Sequence, residues 1–222
     1  AQKCLEISEE GTFNWFKNQE LYLLLSMHTG QYQQTYVTFN EVVNHSRFHF
    51  LAEVVQQPLN IYEPYIHYLI DVQRIEADPE DSRFNKFRLG KFLNETPIFS
   101  KDKRGMNIPI LVVQILFMIL QKKYDAAIDS IEAIEKYCSR HLKKDDTFRS
   151  NCFIKMLLQI PHSSFHKAAV TRKAKKYLDR LTSTPLEVAN QNHEIEIIPY
   201  EDLWGFALES MDNKFHRVTS RK

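Results

Sequence analysis

Hydrophobic residues recur at steps of three and four along almost the whole chain, and prolines or small polar clusters interrupt the pattern at intervals of roughly 15 to 20 residues. A step of three to four residues is the period of an α-helix with one buried face. The pattern predicts about nine to eleven helices, the clearest of which lie at residues 12–28, 31–43, 48–58, 61–77, 82–94, 109–122, 124–142, 148–160, 165–181 and 199–211.

Residues 194–198 alternate polar and apolar side chains in the manner of a β-strand. No second segment of similar character is present to pair with them, and an isolated strand is not stable in water. We therefore interpret them as an extended connector between helices. The predicted fold class is all-α.

Glycine accounts for only 5 of the 222 residues. Phosphate-binding loops, dinucleotide-binding crossovers and tight β-hairpins depend on glycine, because their backbones adopt conformations that side chains disfavour. The composition therefore argues against these folds. Three of the five glycines, Gly11, Gly30 and Gly105, fall at predicted helix junctions, where a glycine can end a helix.

A similar pattern of residues recurs at several of the predicted helix junctions. In the clearest unit, residues 121–134, an aromatic residue at the turn is followed by a small residue and two apolar core residues: Tyr124, Ala127, Ile131 and Ile134. Residues 30–43 follow the same frame, and weaker matches begin at Phe84 and Phe165. In this frame the turn aromatic packs between two helices, and the small residue lets them approach closely.

The unit resembles a tetratricopeptide repeat, although the anchors at residues 32, 84, 124 and 165 are 52, 40 and 41 residues apart, which is longer than the ~34-residue period of a regular array. The resemblance implies an α-solenoid of antiparallel helix pairs, forming one domain over residues 1–213, and a concave surface that binds a protein segment without catalysis. An irregular helical bundle is the alternative. The start without Met indicates a removed N-terminal region, and residues 214–222 are predicted to be a basic tail.

The net charge of +1 conceals an uneven distribution along the chain. Residues 1–80 carry 4 Lys and Arg against 11 Asp and Glu, a net charge of −7, and residues 81–222 carry 25 against 17, a net charge of +8. A basic half attracts acidic protein surfaces, phosphates or nucleic acid. The alternative is that Lys and Glu simply solvate helix faces.

Three cysteines, Cys4, Cys138 and Cys152, match neither a disulfide framework nor a paired-cysteine metal site. They indicate a reducing compartment, and since no secretory signal is present at the start we expect a cytoplasmic location. The longest apolar run, residues 108–120, is too short to cross a bilayer, so we expect no membrane association.

Catalytic signatures are sparse, with no glycine-rich phosphate loop, no nucleophile elbow and no His-Glu-x-x-His motif. Two histidine pairs have a metal-like spacing but lack a further ligand nearby: His45/His49 and His162/His166. Three acidic pairs fit helix capping: Glu9/Glu10, Glu80/Asp81 and Asp145/Asp146. We therefore expect no enzyme, no cofactor and no metal; a helical enzyme built from dispersed residues is a third possibility.

Two surfaces are candidates for partner binding. In helix 165–181, a step of about 100° per residue places four cations opposite the apolar side, and we call them the basic stripe: Arg172, Lys173, Lys176 and Arg180. The stripe suits an acidic peptide, a phosphate group or nucleic acid, unless it is an ordinary solvated face. The second surface is a tyrosine cluster whose amphipathic rings suit a partly exposed groove, unless they pack in the core: Tyr62, Tyr65 and Tyr68.

The sequence thus predicts a helical-repeat scaffold or regulatory domain that binds a protein or peptide partner. A nucleic-acid-associated or transcription-regulatory module that uses the basic half is the alternative. The basic stripe has no interleaved exposed aromatic residues on which bases would stack, which disfavours single-stranded nucleic acid as the partner.

Overall fold

The computed structural model describes residues 8–84, 107–141, 148–184 and 196–211, together with residues 90, 92 and 186. The regular secondary structure in these ranges consists of eight α-helices and two short 3-10 helices, so the predicted all-α class is confirmed for this part of the chain. The chain divides into two compact units, Ala1–Arg88 and Leu89–Lys222, where the sequence predicted one domain over residues 1–213. The predicted tail at 214–222 lies outside the described residues.

The first unit contains three α-helices: α1 at Phe13–His28, α2 at Tyr32–Val43 and α3 at Glu53–Asp71. The start of α1 is fixed by Thr12, whose hydroxyl accepts a hydrogen bond from the backbone amide of Trp15 at 3.3 Å. A 3-10 helix at Phe48–Phe50 connects α2 to α3. Both α1 and α2 pack against α3 and against each other.

The predicted break at Pro58 is wrong, because α3 continues through both Pro58 and Pro64. Each proline removes one backbone donor from the helix, which disfavours it locally. Apolar residues nevertheless continue at helical spacing on both sides of the prolines, and Leu59 and Ile66 are buried. Burial of that face against α1 and α2 therefore outweighs the local preference, and the helix ends at Asp71, not at the predicted residue 77.

The segment after α3 forms turns that are tied to α2. The hydroxyl of Tyr36 donates to the Oδ2 of Asp81 at 2.9 Å and accepts a hydrogen bond from the backbone amide of Asp78 at 3.1 Å. Asn40 donates to the same Asp81 oxygen at 3.0 Å. These bonds place Phe84, which is 1% exposed, in the core of the first unit. Most of the helix predicted at 82–94 lies outside the described residues.

The second unit contains five α-helices: α4 at Asn107–Leu120, α5 at Tyr124–His141, α6 at Phe148–Leu158, α7 at Lys167–Thr182 and α8 at Tyr200–Met211. A short 3-10 helix, Pro161–Ser163, separates α6 from α7. Consecutive helices pack as α4 on α5, α5 on α6 and α6 on α7, while α8 packs against α4, α6 and α7. The apolar α4 is covered by both α5 and α8, so eleven of its fourteen residues are buried.

Tight turns after the helices use the left-handed conformation, mostly without glycine. At the end of α4, Lys122 has a φ of 58°, and the amide of Lys123 donates to the carbonyl of Met118 at 2.8 Å. Gly30, Gln73 and Ser164 occupy the equivalent position after other helices. This is the Schellman arrangement, in which a left-handed residue satisfies the last carbonyls of a helix.

The guanidinium of Arg149 in α6 is 4% exposed, and all five of its N–H groups are used. Two carboxylates and two backbone carbonyls accept these bonds: Glu196 Oε2 at 3.0 Å and Oε1 at 2.8 Å, Glu201 Oε2 at 2.6 Å, and the carbonyls of Leu181 at 3.1 Å and Thr184 at 2.6 Å. We call these residues the Arg149 cluster. It joins α6 to the end of α7, to the connector before α8 and to the first turn of α8.

The connector and α8 add further bonds around Arg149. Glu196 Oε1 accepts a hydrogen bond from the backbone amide of Tyr200 at 2.7 Å. The Tyr200 hydroxyl lies 2.7 Å from the hydroxyl of Ser150, and its ring stacks on Phe153 with centroids 4.3 Å apart. Residues 196–198, the described part of the predicted connector, belong to no strand.

Electrostatics within the cluster keep Arg149 charged. Burial alone lowers the pKa of Arg149, but the hydrogen bonds and negative charges of Glu196 and Glu201 outweigh that effect, and the pKa of Arg149 is raised. The guanidinium therefore keeps its charge within the cluster.

We predict that Arg149→Met lowers the free energy of unfolding by about 3–5 kcal/mol, because it leaves the carboxylate of Glu196 buried without a cation. Urea denaturation of the two proteins measures the difference. The control is Arg172→Met, which removes an exposed cation from α7 and is expected to change the same quantity by less than about 0.5 kcal/mol. A loss below about 1 kcal/mol for Arg149→Met would contradict the role of the cluster.

We also predict that Lys122→Gly raises the free energy of unfolding by about 0.5–1 kcal/mol, because glycine relieves the left-handed conformation at a position that already requires it. The control, Ala133→Gly, places glycine at an exposed position inside α5 and is expected to cost about 1 kcal/mol. Equal destabilisation by both substitutions in urea melts would show that the Lys122 conformation is not strained.

Candidate functional site

The tyrosine cluster lies in the core of the first unit. Tyr62, Tyr65 and Tyr68 are 2%, 1% and 0% exposed. The partly exposed groove that the sequence predicted is therefore not formed by these rings, because α1 and α2 both pack against α3. Burial, followed by the nearby charge of Glu20, raises the pKa of the Tyr62 hydroxyl, as expected for a ring enclosed by protein.

The basic stripe lies on the exposed side of α7, as its spacing predicted. Arg172, Lys173, Lys176 and Arg180 are all exposed. On the opposite side the helix buries its apolar face, and three residues there are fully enclosed: Val170, Ala174 and Leu181.

Three of the four cations in the stripe contact their own chain. Lys173 donates to the backbone carbonyl of His162 at 2.9 Å. Lys176 lies 4.7 Å from the centre of the Tyr177 ring, and Arg180 lies 5.6 Å from that of Phe148. Each of these contacts gives the cation a partner in its own chain and holds the side chain against the protein surface. Arg172 has no such contact within the described residues.

An open groove runs along a different side of α7, between the buried face and the basic stripe. Its volume is about 760 Å³. The described residues that line it all come from α7: Lys167, Ala168, Thr171, Arg172, Lys175, Leu178 and Asp179. We call this the α7 groove. It includes one residue of the stripe, Arg172, and adds two cations that the sequence analysis did not select, Lys167 and Lys175.

The two ends of the α7 groove differ in charge, and small side chains line part of it. Small residues, Ala168 and Thr171, leave the space open, and the half-buried Leu178 supplies an apolar surface. The cations lie towards the start of the helix, whereas Asp179 lies at the far end. The start of α7 also has no acidic residue in its first turn and no side-chain cap. Since helix starts carry partial positive charge, that end of the groove attracts anions.

The spacing of the lining residues in the sequence already indicates that they share one side of α7. Ala168, Thr171, Lys175 and Leu178 follow steps of three and four, so they share one side of the helix. The missing information was which side of α7 its neighbours leave uncovered.

Two of the four turn aromatics of the predicted repeats, Tyr124 and Phe165, contact each other. The rings of Tyr124 and Phe165 stack with centroids 4.0 Å apart and an angle of 28° between their planes. Ala127, Ile131 and Ile134, the core positions of the same frame, are each 0% exposed.

The remaining chemical candidates form no metal-like group among the described residues. In this part of the chain no three His, Cys, Asp or Glu side chains come close enough to hold a metal ion. The carboxylates of Asp78 and Asp81 accept hydrogen bonds from the amides of Glu80 and Arg83 and stabilise turns. Asp145 and Asp146 lie outside the described residues.

The described helices include none that combines the length and the apolar composition needed to cross a membrane. Comparison of the chain with protein-family models, with curated proteins and with solved structures finds no match.

The pKa of one cysteine in α6, Cys152, departs from its ordinary value. Burial raises the pKa of Cys152, and the nearby charges of Arg180, Lys155 and Arg149 offset only part of this effect. The thiol of Cys152 therefore stays protonated at neutral pH and is 4% exposed.

We predict that Cys152 in a Cys4→Ser/Cys138→Ala background reacts with a thiol-specific reagent at pH 7.4 at least about tenfold more slowly than N-acetylcysteine, because little thiolate is present and the sulfur is enclosed. In guanidinium chloride the two rates are expected to agree. A native rate equal to the unfolded rate would show that the packing around α6 is open.

Proposed function

We propose that this chain is a non-catalytic helical scaffold or regulatory module that binds a segment of a partner protein along the α7 groove. The observation that carries the proposal is the groove itself. It combines an apolar surface at Leu178 with the exposed cations Arg172 and Lys175, neither of which pairs with an acidic side chain in the described residues. Ligand-binding regions typically combine an apolar surface with a few polar groups that fix the orientation of the ligand.

The tetratricopeptide-like architecture is part of this proposal. Two successive helix pairs, α4–α5 and α6–α7, are joined through packing of α5 on α6. Stacking of Tyr124 on Phe165, which are 41 residues apart, supports an equivalence of the two turns. In contrast, α8 packs on α4 as well as on α6 and α7, whereas each unit of a regular array contacts only its neighbours. We therefore propose two degenerate repeats closed by a final helix.

The test is selection of binding peptides from a random displayed library on the immobilised chain, followed by titration of the selected peptides. We predict that Arg172→Glu/Lys175→Glu weakens binding by about tenfold or more, since both cations line the groove. The matched control, Lys173→Glu/Lys176→Glu, makes the same change of charge on the same helix but outside the groove, and is expected to change affinity by less than about threefold.

Two results would contradict the proposal. One is that the library yields no specific peptide, or that the groove variant and the control bind equally well. The other is that a DNA duplex or a single-stranded RNA binds more tightly than any peptide, with an affinity that falls steeply between 50 and 200 mM salt and is lost in Lys173→Glu/Lys176→Glu. That pattern is the signature of phosphate contacts and would favour the nucleic-acid module.

A further inference from the structure

We infer that the α7 groove selects a carboxylate-rich peptide segment, in which acidic residues bind Arg172 and Lys175 and an apolar residue binds Leu178. This inference rests on the proposed function and adds the chemistry and the orientation of the ligand. It follows from the order of charges along α7 and from the contacts of the neighbouring cations.

The first argument is that some exposed cations on α7 already contact their own chain, whereas others form no ion pair. On the stripe side, Lys173 is bound to a carbonyl and Lys176 lies over an aromatic ring. In the groove, Arg172 and Lys175 are exposed and form no ion pair within the described residues. A carboxylate that binds here gains charge-assisted hydrogen bonds without first displacing a partner from these two cations. The groove is therefore the more favourable anion site on α7.

The second argument is the polarity of the groove along the helix axis. Arg172 and Lys175 lie in the first two thirds of the lining, and the partial positive charge of the helix start, where His166 provides no side-chain cap, adds to theirs. Leu178 and Asp179 follow at the other end, where a ligand carboxylate is repelled and an apolar side chain is accepted. The ligand must therefore carry its negative charge and its apolar anchor at different places.

The third argument is length. Arg172 and Leu178 are six residues apart, which is about 9 Å along the axis of an α-helix. An extended peptide covers that distance in about three residues. The whole lining from Lys167 to Asp179 spans about 18 Å, a distance that an extended segment of five or six residues covers.

The test uses defined peptides and the full chain. The probe is a fluorescent, end-blocked peptide with the sequence Ser-Glu-Glu-Gly-Ser-Leu-Ser, which places an acidic pair three residues before leucine. The peptide with the reversed sequence is also tested. The groove determines where the acidic residues and the leucine of the ligand lie along α7, but it does not determine the N-to-C direction of the peptide. The control peptides replace both Glu with Gln, or Leu with Ser. Fluorescence anisotropy at 50 and 300 mM salt measures each affinity.

We expect one of the two acidic orders to bind about tenfold more tightly than its Gln control and to weaken at the higher salt. We also expect Asp179→Asn to tighten binding of the acidic peptide by about twofold, because it removes a like charge. A merely cationic surface would not distinguish the Leu peptide from the Ser peptide. Equal binding of those two peptides overturns the apolar part of the inference.

The outcomes separate this inference from the proposed function. If the Gln peptide binds as well as the Glu peptide, or if library-selected peptides lack Asp and Glu, the ligand chemistry is wrong while segment binding stands. If neither the designed peptides nor the library binds, the proposed function fails and the inference fails with it. If Arg172→Glu/Lys175→Glu lowers the melting temperature by several degrees relative to Lys173→Glu/Lys176→Glu, a segment of the chain itself fills the groove, and the inference is overturned.

Discussion

A single buried guanidinium ties α6 to the end of α7, to the connector and to α8 in the second unit. Arg149 can be enclosed only because its charge and all five N–H groups find partners. Those partners come from the end of α7, from the connector at Glu196 and from the first turn of α8. Folding must therefore bring three separate segments onto α6, while burial of Val170, Ala174 and Leu181 sets which sides of α7 stay exposed.

The consequence for function is a division of the surface of α7. Its apolar face is held in the core, and its last carbonyls are bound to Arg149. On the exposed surface, Lys173 and Lys176 of the basic stripe contact their own chain, whereas Arg172, which the stripe shares with the groove, and Lys175 lie beside Leu178 in the groove. Exposure alone does not distinguish the two groups. The contacts of each cation identify the side of α7 on which we place the ligand.

Sequence periodicity predicted most helices because it depends on burial of one face, and that requirement is local in sequence. It failed at Pro58, where packing across the unit outweighs a local signal, and at the tyrosine cluster, where periodicity does not show how many sides of α3 are covered. Arg149 was missed because its side-chain partners are 47 and 52 residues away. The groove residue Lys175 was missed because its role depends on space that neighbouring helices leave open.

Mapping of the bound peptide on the protein tests the central claim most directly. In a two-dimensional amide spectrum of the labelled chain, saturation with the acidic probe peptide is expected to shift the resonances of Ala168, Thr171 and Leu178, while those of Lys173 and Lys176 move little. The α7 groove is then the site of segment recognition. Shifts centred on Lys173 and Lys176, with Thr171 and Leu178 unchanged, would contradict this account and place binding on the basic stripe.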